Sequence, residues 1–274
     1  MKHFFKSIFI FLLIATSSLA IADGFEKGKK LYETGKYHEA MIYLKKIDTA
    51  KNPKAMTLIG YMYNHGLGVQ KNSEEAFEWY RAAAQANLPI AQFNLGLMYE
   101  QGDGTSKNII EAVKWFREAA EQKCPYAEMK MGYLTATGTG VKKDYQEAIQ
   151  WYQRAAEHGD SAAYAQIGLF YTLGNGVKKD VNRAVQYYIM GAQKGDARAQ
   201  AFLGKAYVLG RGIQPDSEKA LYWYKTAARN GNVNAMKELG SIYAKGRLGL
   251  KPDPQEARRW NEMAEKAEKK MTSF

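Results

Sequence analysis

The sequence predicts an all-α protein, a right-handed solenoid of stacked helix-turn-helix hairpins. Three observations carry that expectation. Gly60, Gly96, Gly132, Gly168, Gly204 and Gly240 recur every 36 residues, and a second glycine follows each of them six residues later, from Gly66 to Gly246. Within each period, apolar residues fall at helical spacing in two separate stretches, and a helix-capping residue precedes the second stretch in every copy. A period of this length marks one supersecondary unit stacked on copies of itself, because one unit alone cannot bury its apolar face.

Residues 1–22 read as a cleavable signal peptide. Lys2 and Lys6 give a positive start, Ser7 to Leu19 a mostly apolar stretch, and Ala20-Ile21-Ala22 small residues at the two positions that a signal peptidase needs. The mature chain would then begin at Asp23 and be exported, to the periplasm or beyond. The apolar stretch is shorter than the roughly 20 residues that span a bilayer, and no later stretch reaches that length, so no membrane span is expected in the mature chain. A bacterial lipid anchor would want a cysteine where Asp23 stands. The only cysteine is Cys124, which excludes an intramolecular disulfide. A hydrophobic fraction of 46% with 24% charged residues suits a folded chain. The formal charge of +11 falls to +9 without Lys2 and Lys6.

The first helix of each repeat runs Ala-x-x-x-Leu-Gly-x-x-Tyr, as in Ala91, Leu95, Gly96 and Tyr99. These offsets fall on one stripe at about 100° per residue, the mark of an amphipathic helix. Glycine in that stripe costs about 1 kcal/mol against alanine, so it is expected to sit where another element packs closely. The helix should end at Gly-x-Gly, seen as Gly66/Gly68 through Gly210/Gly212, with the first glycine in the left-handed position and the second relieving the turn. A phosphate-binding loop would need a preceding strand, and none is indicated. Asn72, Asn108, Asp144, Asp180, Asp216 and Asp253 then cap the second helix, with Glu75, Glu111, Glu147 and Glu256 placed as capping-box partners. After the cap come Ala76, Trp79-Tyr80 and Ala83-Ala84, repeated as Ala148, Trp151-Tyr152 and Ala155-Ala156. All five tryptophans take this one slot, where they read as core between hairpins, and Tyr187 takes it in the fourth copy.

This motif resembles the Sel1-like repeat (SLR), a tetratricopeptide-like helical hairpin. Six copies occupy residues 55–270, and residues 271–274 are a tail. Upstream, Gly28, Gly35, Tyr37, Ala40 and Leu44 resemble a degenerate tetratricopeptide hairpin within residues 23–54. Departures are Thr135 in place of the tyrosine, Gly191 in place of an alanine, one extra residue before Gly249, and a polar last helix through Arg258, Arg259 and Glu262, as an end cap requires. The resemblance implies a solenoid that binds proteins or peptides without chemistry or cofactor of its own. Many bacterial members are exported, and some act in envelope maintenance or host contact. A cysteine-rich subset is described as secreted and penicillin-binding; with one cysteine this chain departs from it.

An enzyme or ligand binder acting on cell-wall material or β-lactams is the alternative class, but its chemistry has no visible carrier. His38, His65 and His158 are far apart, and neither Ser-x-x-Lys, Lys-Thr-Gly nor metal-ligand spacing occurs. Cys124 takes a first-helix cap position before Pro125, where unpaired amides lower a thiol pKa; a tolerated cap substitution is the plainer reading. Lys71, Lys107, Lys143 and Lys179 form a periodic row that an acidic glycan or protein would suit. Nucleic acid is not expected, since no stacking motif accompanies the charge.

At offsets of minus one, plus two, plus six and plus nine from the repeat alanine, side chains point about 180° to 260° around the axis, away from the core stripe. In tetratricopeptide-like arrays this face lines the concave groove. Here it carries Tyr61, Phe93, Leu97, Met129, Tyr133 and Leu169, then the basic Arg198, Lys205 and Lys237. Tyr61, Phe93, Leu97, Met129, Tyr133, Leu169, Lys205 and Lys237 are therefore the candidate partner-binding residues, for a peptide with an acidic end.

Overall fold

The computed structural model describes residues 24–47 and 52–272; the expected signal peptide lies outside them. Among the described residues every regular element is a helix. Helix α1 (24–33) and α2 (Tyr37–Ile47) form the first hairpin. Six further pairs follow: α3 (Pro53–His65) with α4 (Ser73–Gln85), α5 (Pro89–Gln101) with α6 (Ile109–Glu121), α7 (Pro125–Thr137) with α8 (Tyr145–Glu157), α9 (Ala162–Leu173) with α10 (Val181–Gln193), α11 (Ala197–Leu209) with α12 (Ser217–Arg229), and α13 (Val233–Lys245) with α14 (Pro254–Thr272). The fold class is the expected solenoid of helical hairpins. The chain forms two compact units. One runs to Ala127 and includes Thr139–Val141, and the other holds Glu128–Gly138 and the chain from Lys142 on.

The turns show why the sequence repeats as it does. The first glycine of each pair is left-handed, with φ of 77° at Gly102 and 79° at Gly174, and Gly102 donates its N–H to the Met98 carbonyl. The second glycine does more than relieve a turn. A Cβ at Gly104 would run into the Ser73 carbonyl, and one at Gly212 into that of Val181, so each loop rests on the first turn of the preceding hairpin's second helix. Any side chain there would push the two hairpins apart.

The predicted caps form. Asn72 Oδ1 accepts from Glu75 N at 3.1 Å, and Asp144 Oδ1 from Gln146 N and Glu147 N at 2.8 and 3.0 Å. The reciprocal arm of the capping box is not what the sequence suggests. The cap residue's own N–H is given to the preceding helix, from Asn72 to the Tyr63 carbonyl at 3.0 Å and from Asp253 to that of Tyr243 at 2.8 Å. The folded-back loop thus supplies the acceptor that a glutamate would have been, and Glu147 instead accepts from Trp151 Nε1 at 3.1 Å.

The repeat glycines on the first helices do admit close packing, and the partner is an aromatic ring. A Cβ on Gly96 would lie 2.6 Å from Phe116, and one on Gly132 2.7 Å from Tyr152. In the last repeat the slot is filled by Asn261. The tryptophan slot proves less interior than its neighbour. Trp151 and Trp260 are buried, whereas Trp79, Trp115 and Trp223 are half-buried and pack on the edge of the core. The aromatic residue after the tryptophan, such as Tyr80 or Phe116, turns its ring inward onto the repeat glycine; the tryptophan, about 100° away, lies at the seam.

Candidate functional site

In the first unit, Tyr61 on α3 is the most exposed candidate, with its ring stacked on His65 at 3.9 Å and meeting Tyr32 edge-on at 6.2 Å. It opens onto a cavity of about 590 Å³ lined by Phe25, Tyr32, Leu58, Leu88 and Ile90. Phe93 on α5 is half-buried, with ring centroids 5.6 Å from Phe116 and 6.1 Å from Tyr126. It therefore borders the core as well as the surface. Leu97, one turn on, is likewise half-buried.

In the second unit, Met129 on α7 packs half-buried against the core that includes Tyr152. Tyr133, one turn further, is 53% exposed, and Lys130 Nζ lies 5.8 Å from its ring centroid. Leu169 on α9 lines a cavity of about 600 Å³ together with Leu173, Phe202, Lys205 and Leu209. Lys205 also borders an adjoining cavity of about 460 Å³ beside Arg198 and Asn234. Lys237 does not join this group, because its Nζ is bound to Glu268 Oε1 of α14 at 2.6 Å. The role expected for Lys237, reading a partner's acid, is answered inside the chain.

Several surface residues escape the sequence reading. Ile90 and Tyr126 stand at offset minus one, directly after Pro89 and Pro125, and Tyr126 is 60% exposed. Leu173 and Leu209, 57% and 47% exposed, sit one residue beyond the last offset considered, at about 280° around the helix.

A second set of residues was hidden inside the apolar stripe. Gln92, Glu128 and Gln200 follow the repeat alanine directly and are buried. Gln92 Oε1 accepts from Gln122 Nε2 at 2.7 Å, and Gln200 Oε1 from Asn230 Nδ2 at 2.9 Å. Gln200 Nε2 also donates to the Ala192 carbonyl at 3.2 Å, satisfying an acceptor at the end of the preceding helix. In the third repeat the same tie is charged: His158 Nδ1 lies 2.8 Å from Glu128 Oε2, and Arg154 Nε donates to Glu128 Oε1 at 3.2 Å. A carboxylate holding a histidine looks like half of a catalytic triad. Its neutral counterparts in the second and fifth repeats identify it as a structural tie. In the fourth repeat Tyr164 replaces the tie, and Gly191 makes room for it: a Cβ there would lie 3.0 Å from Tyr164 Cβ.

Among the described residues no group of three His, Cys, Asp or Glu side chains is placed to hold a metal ion. Cys124 is buried at the start of α7. Lys71, Lys107, Lys143 and Lys179 are exposed, and each lies over the helix-ending glycine of its loop.

The Sel1 repeat family model matches six consecutive segments, residues 53–88, 89–124, 125–160, 161–196, 197–232 and 233–267. The chain belongs to the Sel1 repeat family. A Sel1 repeat protein from Oxalobacter formigenes, known from its crystal structure, is 79% identical with a TM-score of 0.86, over 89% of this chain and 99% of that one. The protective antigen c5321 of uropathogenic Escherichia coli, described as displaying an SLR fold, is 28% identical with a TM-score of 0.73, and the match covers 90% of this chain and 54% of the antigen. Immunity protein Pa5087 of Pseudomonas aeruginosa, at 20% identity and a TM-score of 0.54 over 76% of this chain and 81% of that one, shares the fold. No curated protein matches the chain. No described helix is long and apolar enough to cross a membrane.

Proposed function

We propose that this Sel1 repeat protein is an exported, non-catalytic scaffold that holds a peptide or helix of a partner protein on the face formed by its first helices. The observation that carries the reading is the state of Tyr61, Leu97, Tyr133 and Leu169. They occupy one register position, plus six, in four successive repeats. The repeat motif does not fix that position, yet it stays apolar, and Tyr133 is 53% exposed. A position selected only for solubility would be polar there; exposed apolar groups mark interaction surfaces. Sel1 repeats are typically protein–protein interaction scaffolds, which supports the same reading.

Export rests on the leader-like residues 1–22, and an envelope or host-contact role on likeness to a bacterial antigen. N-terminal sequencing of the mature protein should begin at Asp23; an intact Met1 would overturn export. Partner capture by the natural chain should be lost in the double variant Leu97→Ala/Tyr133→Ala while the melting temperature stays within a few degrees. Undiminished capture by the folded double variant would overturn the groove reading. Capture that instead disappears at high salt and survives both substitutions would favour an acidic glycan on the lysine row.

A further inference from the structure

We infer that the cavity between α9 and α11 is an anion-reading subsite, in which Lys205, Arg211 and Lys179 hold a carboxylate of an acidic peptide while a bulky apolar side chain beside that carboxylate enters the cavity. The inference rests on the reading of the first-helix face as a peptide site and specifies the chemistry of the peptide. The cavity, about 600 Å³, has Leu169, Leu173, Phe202 and Leu209 along its walls and Lys179, Lys205 and Arg211 around it. That volume lies in the range of about 300–1,000 Å³ typical of ligand sites. Leu173 and Leu209 are 57% and 47% exposed, so about half of each side chain awaits cover.

Charge decides the occupant. No carboxylate lines this cavity, and none of its three cations has an ion-pair partner among the described residues. The other cavities differ. In the adjoining one Arg247 is paired with Glu238 at 3.0 Å, and in the first unit Lys29 is paired with Glu33 at 3.6 Å. Three cations that line one apolar recess without an ion-pair partner among the described residues repel one another, and an anion seated among them relieves that repulsion.

The repeat shows that Lys205 is particular to this place, and that Arg211 lacks, among the described residues, the ion-pair partner its counterpart in the last repeat has. The position of Lys205 holds Tyr61, Leu97, Tyr133, Leu169 and Ser241 in the other repeats, and that of Arg211 holds Leu67, Asp103, Thr139 and Asn175 in the four before it and Arg247, paired with Glu238, in the one after it. Only in this repeat are both positions basic, and both residues line one cavity. A carboxylate accepts from both a guanidinium fork and an ammonium, whereas a neutral peptide would leave them unpaired.

The test uses the full chain and two fluorescein-labelled peptides, Glu-Leu-Glu-Phe-Glu-Leu-Glu and the same peptide with glutamine at every glutamate, with polyglutamate of equal length as a third probe. Fluorescence anisotropy should show the acidic apolar peptide binding at least ten-fold more tightly than either other probe, and weakening as salt rises. Lys205→Gln/Arg211→Gln, which keeps the aliphatic stems of two exposed residues, should reduce that affinity ten-fold or more without changing circular dichroism or affinity for the glutamine peptide. Leu173→Ser/Leu209→Ser should weaken the acidic apolar peptide and not polyglutamate. Equal binding of the acidic and glutamine peptides overturns the inference while leaving the peptide groove standing. Equal binding of polyglutamate, or full affinity in Lys205→Gln/Arg211→Gln, overturns it as well. If no probe binds, the inference fails, and the groove itself is judged separately by partner capture with Leu97→Ala/Tyr133→Ala.

Discussion

Replacing Glu128 should be the most damaging change of a polar residue in the chain, and a second substitution should repair it. Glu128 is fully buried, and its two oxygens serve His158 Nδ1 at 2.8 Å and Arg154 Nε at 3.2 Å. Removing one partner of a buried charged group costs about 3–5 kcal/mol when the other is stranded. His158 and Arg154 keep 25% and 34% of their side chains exposed and can recover some hydration, so the low end applies, about 3 kcal/mol for Glu128→Ala. That lowers the melting temperature by about 6–12 °C at the 2–4 °C per kcal/mol expected for this size. Glu128→Gln keeps the shape but leaves one strong donor poorly served, for about 1–2 kcal/mol. The double change Glu128→Gln/His158→Gln rebuilds the neutral tie that Gln92 and Gln122 make at 2.7 Å in the preceding repeat. Arg154 keeps its place 4.5 Å from the Trp151 ring. The double variant should return to within about 1 kcal/mol of the parent, since a neutral pair avoids the desolvation cost of a buried charge and leaves no buried partner unsatisfied. Thermal and urea unfolding followed by far-ultraviolet circular dichroism measures all three. If Glu128→Ala falls within 0.5 kcal/mol of the parent, or if the double variant is no more stable than Glu128→Gln, the tie is not what holds this hairpin. Both thresholds are about the resolution of such measurements.

Three further outcomes follow from the packing. Gly132→Ala, whose new Cβ would lie 2.7 Å from the buried Tyr152 ring, should destabilise by about 1–2 kcal/mol despite a gain of about 1 kcal/mol in helix propensity, whereas Gly204→Ala, 3.1 Å from Tyr224, should be near neutral; equal unfolding midpoints for the two would contradict the ring-on-glycine account. Burial raises the phenols of Tyr80, Tyr152, Tyr188 and Tyr224 above their ordinary value of 10.0, and Tyr152 is pushed up to about 12. Their stabilisation is complete below pH 10, where both states are protonated, and is lost as pH rises from about 10 towards 12 at up to about 1.4 kcal/mol per pH unit for each phenol; urea titrations should show this decline, and Tyr152→Phe should flatten it. Gly104→Ala, at a left-handed φ of 68° and against the Ser73 carbonyl, should cost more than Gly132→Ala, as the same unfolding assay would report.

The hairpins were legible because period, stripe and cap all state the same thing, and the structure places every predicted cap where the sequence does. Interior chemistry was less legible. Gln92, Glu128 and Gln200 lie at an offset that faces the core, where polarity looks like noise until the partner thirty residues later is seen; the signal was available as a recurrence of polar residues at one register position, matched by Gln122, His158 and Asn230 at another. Tryptophan and the ring after it are neighbours in sequence, and hydrophobicity alone ranks the larger one as the more buried. Packing against the repeat glycine reverses the order. For the candidate site, the helical wheel gave Leu169 and Lys205 the same register position in successive repeats, and both line one cavity, but it could not foresee that α14 carries Glu268 to Lys237. That ion pair spans two helices and depends on how the last hairpin closes.

Tyr133 and Tyr222 offer the most direct test of the scaffold account. They are the same residue type with similar exposure, 53% and 60%, but Tyr133 is on a first helix, α7, and Tyr222 on a second helix, α12. Each can be replaced, one at a time, by a photoreactive phenylalanine in the full chain, irradiated in its own cellular extract and resolved for covalent adducts by mass spectrometry. The account predicts partner adducts at position 133 and none above background at position 222. Adducts at 222 with none at 133, or equal yields at both, would contradict it.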